Sequence, residues 1–293
     1  MKTLRRVGLE TAELTDEELR YIDARVVESV RPLLVGRRLF PFFRLPHAGI
    51  KSVRGYKETD MSAATIDMEG ETDSFDRIEL SGFDVKVPVI SKGFKLSWRD
   101  LLAARNGGIP IDTRSVENAA RQCAEEEDEL LLTGERTGGR RLGMEGLATA
   151  TGRNTSAGGD WSANAFTYVN NAIGELETDG HLGPYALITK PSWWRQIAAA
   201  FITNTATTIA DKVAELVAAG VFVSDSLYES DGTTHNALVV EPRQDNFEMV
   251  VGQDLSEHYA PLDRNMILYG KTFEVVAPRI KRPTAICEIT GLT

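Results

Sequence analysis

Two cysteines in 293 residues cannot build a disulfide framework, and with no CxxC pair or Cys/His cluster they outline no metal site. Cys123 and Cys287 are expected to be small, reduced, buried hydrophobes. Long apolar runs are missing too: the longest, 197–202 and 217–223, fall far short of the roughly 18 residues that cross a bilayer. Residues 1–10 carry Lys2, Arg5 and Arg6 but no apolar stretch of signal-peptide length, so a cytoplasmic location is expected. Positive charge is scarce. There are 33 basic and 43 acidic residues, a net charge of −10, and basic doublets such as Arg37-Arg38 and Arg140-Arg141 are too short to coat nucleic acid. Catalytic signatures are also absent: the chain has no GxxxxGK[ST], no GxSxG and no HExxH. Four histidines, at 47, 181, 235 and 258, stand singly. Gly138, Gly139, Gly143 and Gly146 follow a helix rather than a strand, which makes them turn residues and not a dinucleotide loop.

What is there suffices for an ordinary globule. With 42% hydrophobic and 26% charged residues, about three quarters of the unfolded surface can be buried in one or two domains. Thr15-Asp16-Glu17-Glu18 has the form of a capping box. Leu19, Ile22, Val26 and Val30 follow at helical spacing, and Pro32 should end the helix. From Pro41 to Lys92 that period vanishes, and Phe83, Val85, Val87 and Val89 alternate with polar neighbours as in a two-faced strand. This long segment has too few apolar positions for a core of its own, which points to support from another subunit. A helix of about 30 Å is expected from Asp112 or Thr113 to Gly134, with Val116, Ala119, Ala120, Cys123, Leu130 and Leu131 inward. Its carboxylate run Glu125–Glu129 is expected to face solvent or a neighbouring subunit. Helices then alternate with strands: helices near 162–178, 191–201 and 209–219, and strands near 185–189, 237–241, 247–251, 266–269, 272–277 and 285–289.

Several strings, in order, resemble the encapsulin shell proteins, relatives of the major capsid proteins of tailed phages. At the start stand Leu14-Thr15-Asp16-Glu17-Glu18, Ile22-Asp23-Ala24-Arg25 and Gly36-Arg37-Arg38. In the middle are Phe94-Lys95-Leu96-Ser97-Trp98-Arg99-Asp100, Glu126-Glu127-Asp128-Glu129-Leu130 and Gly146-Leu147. Later come Gly183-Pro184-Tyr185-Ala186-Leu187 and Gly252-Gln253-Asp254-Leu255-Ser256, and Arg279 to Cys287 is similar to the family's closing strand pair.

The resemblance implies an α+β fold of the tailed-phage major capsid (Hong Kong 97-like) type. On that template, 1–40 is a lumen-facing N-terminal arm and helix, 41–92 an extended loop that overlaps a neighbour, 93–135 with 262–293 a peripheral domain on a long spine helix, and 136–261 an axial domain. It implies a non-catalytic shell subunit that assembles with itself, icosahedrally, and encloses a guest enzyme, a ferritin-like iron oxidase or a dye-decolourising peroxidase, docked by a short C-terminal peptide. No nucleic-acid or membrane partner and no resident cofactor are expected. Mapped onto this chain, the docking groove comprises Ile22, Val26, Val30 and Leu33 with Arg37, joined by Leu255 and Tyr259. A neutral pore loop falls on Thr203, Asn204, Thr205, Thr207 and Thr208. Some relatives stack a flavin on a tryptophan in the segment of Trp98, where a structural tryptophan at a strand end is the competing reading. The alternatives are a phage or prophage capsid protein, disfavoured by the acidic charge, and a protease or bacteriocin, disfavoured by the missing nucleophile motif.

Overall fold

Two long strands, β9 (Phe247–Tyr259) and β10 (Ile267–Ile280), pair antiparallel and form the backbone of the molecule. The coordinates are a computed structural model, which describes residues 16–30, 35–58, 77–107, 113–135, 142–202, 207–227, 237–260 and 266–293, with 61, 62, 64, 66, 68 and 75 singly between. β1 (Phe42–Arg44) joins β9 in parallel and β4 (Val89–Ser97) joins β10 antiparallel, giving a four-stranded sheet of order β1-β9-β10-β4. Sequence suggested two strands, 266–269 and 272–277, where the structure has one continuous strand. Gly270 lies mid-strand, where its missing side chain makes room for the Phe94 ring: a Cβ there would sit 2.2 Å from it.

Helix α1 (Asp16–Val30) and helix α4 (Arg114–Leu132) lie over one face of this sheet. The capping residue Thr15, Leu33 and the break at Pro32 lie outside the described residues. Between them comes a short turn of helix, α2 (Gly36–Leu39), and α3 (Trp98–Gly107) follows β4 directly. The alternation read over 83–89 spans two strands: β3 (Leu80–Lys86) pairs with β2 (Ser52–Glu58) in a separate hairpin, and β4 begins after Pro88, which has no amide to give a ladder.

The second sheet has five strands in the order β5-β11-β8-β6-β7, namely β5 (Asn154–Ala157), β6 (Ala186–Thr189), β7 (Gly220–Val223), β8 (Ala237–Val240) and β11 (Ile286–Thr290). Its central strands β6 and β8 are buried along their whole length, as unbroken apolar runs should be. Helices α5 (Trp161–Thr178), α6 (Pro191–Ala199) and α7 (Ile209–Leu216) cover it through Trp161, Val169, Leu176, Ile197 and Val213. Chain order and sheet membership cross here. β9, from the segment 136–261, lies in the first sheet, and β11, from the segment 262–293, lies between β5 and β8 in the second.

Candidate functional site

The apolar stripe of α1 faces inward. Ile22, Val26 and Val30 are buried against Val116, Ala119, Ala120 and Ala124 of α4 and against Phe94, the small alanines letting the two helices approach closely. Leu255 and Tyr259 from β9 and Leu96 from β4 pack half-buried on the same cluster, with Phe94 and Tyr259 edge to face at 5.6 Å. The structure thus gathers Ile22, Val26, Val30, Leu255 and Tyr259 in one place. The first three, expected to line an open groove, are occupied by α4, because an amphipathic helix buries its stripe in whatever apolar surface its own chain provides. The part still open to solvent is Leu96, Leu255 and Tyr259.

Beside that opening the Tyr259 hydroxyl donates to Glu257. Burial raises the Glu257 carboxyl from its ordinary value against the pull of this hydrogen bond, and Asp23 on α1 adds to the rise. Burial likewise raises the Tyr259 phenol, which then stays protonated.

Arg37 lies behind the cluster in a different environment from the groove expected for it. Its Nε and Nη2 bond Glu127 at 2.8 and 2.9 Å, Nη2 also reaches Glu274 at 3.1 Å, and Nη1 reaches Asp254 at 3.0 Å. A register shift of β9 against β10 between Phe273 and Val275 accompanies the turn of Asp254 towards Arg37 and towards Arg44, 3.0 Å away. Asp128 caps the adjoining turn, accepting from the amides of Gly36 at 2.8 Å and Val35 at 3.2 Å. The expectation that Glu125–Glu129 faces outward is corrected here: Glu125 and Glu126 are exposed, while Glu127, Asp128 and Glu129 are buried. Inside, the Arg37 guanidinium answers Glu127 and two backbone amides answer Asp128. Burial works against the charge of Arg37, yet Glu127, Glu274 and Asp254 hold it protonated. Burial and the neighbouring Glu127 charge push Glu274 up to about 10, and burial pushes Asp128 up to about 7.

The other expected residues are dispersed. Thr203, Asn204 and Thr205 lie outside the described residues. The neck of their loop is closed by the Ile202 amide donating to Thr207 at 3.1 Å, and the Thr208 hydroxyl caps α7, accepting from the Asp211 amide at 3.2 Å. Trp98 opens α3 and lines a cavity of about 60 Å³ with Leu96, Leu101 and Leu268. His181 is a satisfied buried histidine, 2.9 Å from Glu241 and 3.1 Å from the Thr284 hydroxyl. Both cysteines are buried, and burial pushes each thiol up to about 12, out of reach of thiolate chemistry. Among the described residues no group of three or more His, Cys, Asp or Glu could hold a metal ion, and no helix is long and apolar enough to cross a membrane.

Residues 1–269 match the profile of a family described as "Encapsulating protein for peroxidase". The "Type 1 encapsulin shell protein EncA" of Myxococcus xanthus is 31% identical over 280 residues, 95% of this chain and 94% of that one. A "Diheme-cytochrome-encapsulin shell fusion protein" of Kuenenia stuttgartiensis is 30% identical over 282 residues, 94% of this chain and 73% of that one. Among solved structures, the virus-like particle from Pyrococcus furiosus superposes with a TM-score of 0.71 at 17% identity, covering 94% of this chain and 98% of its own. The capsid of Myoviridae phage XM1 follows at 0.64 and 17%, covering 89% and 92%. At that identity the structural likeness concerns the fold, which is that of the phage major capsid proteins.

Proposed function

The chain belongs to the family of encapsulin shell proteins, and from that premise we propose that its copies close into a hollow icosahedral container around a guest enzyme which supplies all the chemistry. The observation that carries this reading is the state of the extended loop. Ile66, Met68 and Phe75 are 103%, 101% and 92% exposed in the single chain, far beyond what scattered surface apolars need. Such a segment calls for a neighbouring copy to cover it, and a heterologous contact of that kind closes on itself when its rotation permits.

The guest docks on the lumenal side where α1 meets the ends of β4 and β9, with an apolar tail lying across Leu96, Leu255 and Tyr259. The support is that this patch stays half-open after α1 has seated its own stripe on α4. By family likeness the guest oxidises iron or reduces peroxide, which gives the container a part in iron storage or oxidative-stress defence in the cytoplasm. The loop 203–208 serves as the neutral pore.

Light scattering on the chain expressed alone tests the assembly. A particle many times the 32.2 kDa chain mass, free of nucleic-acid absorbance, supports the container. A monomer or dimer overturns it, and a nucleic-acid-filled particle moves the reading to a phage capsid. A fluorescent protein carrying the C-terminal segment of the neighbouring gene product tests the docking face by its retention in the particles.

A further inference from the structure

One charged group on the docking face has no role in an apolar contact, and the following rests on that docking reading. Glu257 sits between Leu255 and Tyr259 on β9. Its Oε2 accepts from the Tyr259 hydroxyl, while its Oε1 is buried and has no hydrogen-bond partner among the described residues. Its register partner on β10 is Thr272, fully buried, whose hydroxyl is likewise unpartnered. Two residues along β10 on the same face comes Glu274, already sharing hydrogen bonds with Glu127 of α4 and Arg37 of α2. From α1 the charge that bears on Glu257 is Asp23, of the same sign.

The Glu257 side chain is still partly exposed away from the buried Oε1, and the water there helps to keep the carboxylate charged. An apolar segment laid across Leu255 and Tyr259 removes that water and brings no counter-charge. A carboxylate so placed, beside a like charge, becomes neutral more cheaply than it becomes dry. We infer that docking of an apolar guest segment on this face takes up one proton at the Glu257 carboxyl. The proton comes from solvent, and the only bond formed is O–H. Burial already holds this carboxyl above its ordinary value in the free subunit, so docking extends an existing tendency.

The sign follows from linkage. The docked state binds more protons than the free state, so affinity falls as pH rises, by at most about tenfold per pH unit. The experiment measures binding of the fluorescent reporter carrying the neighbouring gene product's C-terminal segment, by subunits dissociated from the shell so that the lumenal face is open, from about pH 5 to about pH 8. Wild type is expected to lose affinity steadily across that range. Glu257→Gln, neutral and of the same shape, is expected to bind as tightly at the top of the range as at the bottom. Calorimetry on the wild type in buffers of different ionisation enthalpy should give an uptake of about one proton per docked segment, a readout that does not depend on the variant folding. A reporter bound with one affinity at every pH, or with no proton uptake, overturns this inference and leaves the docking face standing. A reporter that binds at no pH overturns both.

Discussion

Arg37 on α2 and Glu127 on α4, 90 residues apart in the chain, meet as a forked ion pair, Nε to Oε1 at 2.8 Å and Nη2 to Oε2 at 2.9 Å. Glu274 completes the contact from the sheet, and both carboxylate side chains are 1% exposed. Removing the cation leaves two buried acids facing each other. Arg37→Met, which keeps most of the aliphatic stem, should therefore cost about 3–5 kcal/mol. Arg37→Lys restores charge but not the fork and should fall between the two. The shift in the denaturant midpoint measures both, and a Met variant as stable as wild type would show that the network contributes nothing.

The same acids give the molecule a pH dependence whose sign is fixed by the direction of their shifts. Glu274, held up at about 10, and Asp128, at about 7, bind protons in the folded chain at pH values where the unfolded chain has released them. Their contribution is complete below the ordinary carboxylate range of about 4. It is lost as pH climbs, first through the Asp128 value and then through that of Glu274. Denaturant midpoints should fall steadily from mildly acid to alkaline pH, and Glu274→Gln should flatten the alkaline part. A wild-type midpoint that rises over that range would contradict the assignment.

Gly270 and Phe94 form a tight fit of the opposite kind, an absent side chain against a ring. The ring cannot retreat, because it is buried in the α1–α4 cluster and packed edge-on against Tyr259. Gly270→Ala should cost about 1–3 kcal/mol by overpacking. Combining it with Phe94→Leu should recover part of the loss, a coupling of roughly 0.5–3 kcal/mol that independent sites do not show.

The helices were legible because their signals are local: the apolar spacing of Ile22, Val26 and Val30, Pro191 at the head of α6, and the buried set Val116, Ala119, Ala120 and Cys123 on α4. The partners of those faces were not. Helical arithmetic places Glu127 four residues after Cys123 and Asp128 four after Ala124, on the buried side, but five consecutive acids suggest solvent until Arg37 and the amides of α2 are known to lie opposite. The gap left between the strands read at 266–269 and 272–277 has the same origin, since only the facing Phe94 shows why a glycine belongs in mid-strand. Of the residues expected at the docking groove, Ile22, Val26, Val30, Leu255 and Tyr259 meet in one cluster, but which way they face was not legible: spacing cannot tell a stripe that awaits a guest from one that already rests on α4.

That distinction separates two variants. Val30 is 5% exposed against α4, so Val30→Asp buries an unpaired charge and should weaken the seating of α1 itself, lowering the denaturant midpoint. Leu255, half-buried at the rim of the same cluster, can be changed at lower cost to the fold. Leu255→Ser should leave particles intact and reduce reporter retention. Retention unchanged in Leu255→Ser shells would move the docking face elsewhere.

The extended loop gives the sharpest separation between folding and assembly. Ile66, Met68 and Phe75 make almost no contact within their own chain, so replacing all three with serine should leave the far-ultraviolet dichroism and the denaturant midpoint of the subunit near wild type. A large apolar side chain fully covered by a neighbour is worth roughly 1.5–3 kcal/mol, and each subunit in a closed shell makes that contact in full. The loss therefore repeats at every interface around the container, and in a cooperative closed assembly a uniform weakening removes the whole particle rather than a fraction of it. Light scattering of the triple variant should report single subunits or small oligomers where wild type gives large particles. Intact particles from a folded triple variant would mean that these residues do not face a neighbour, and the extended loop would lose its place as the element that joins one copy to the next.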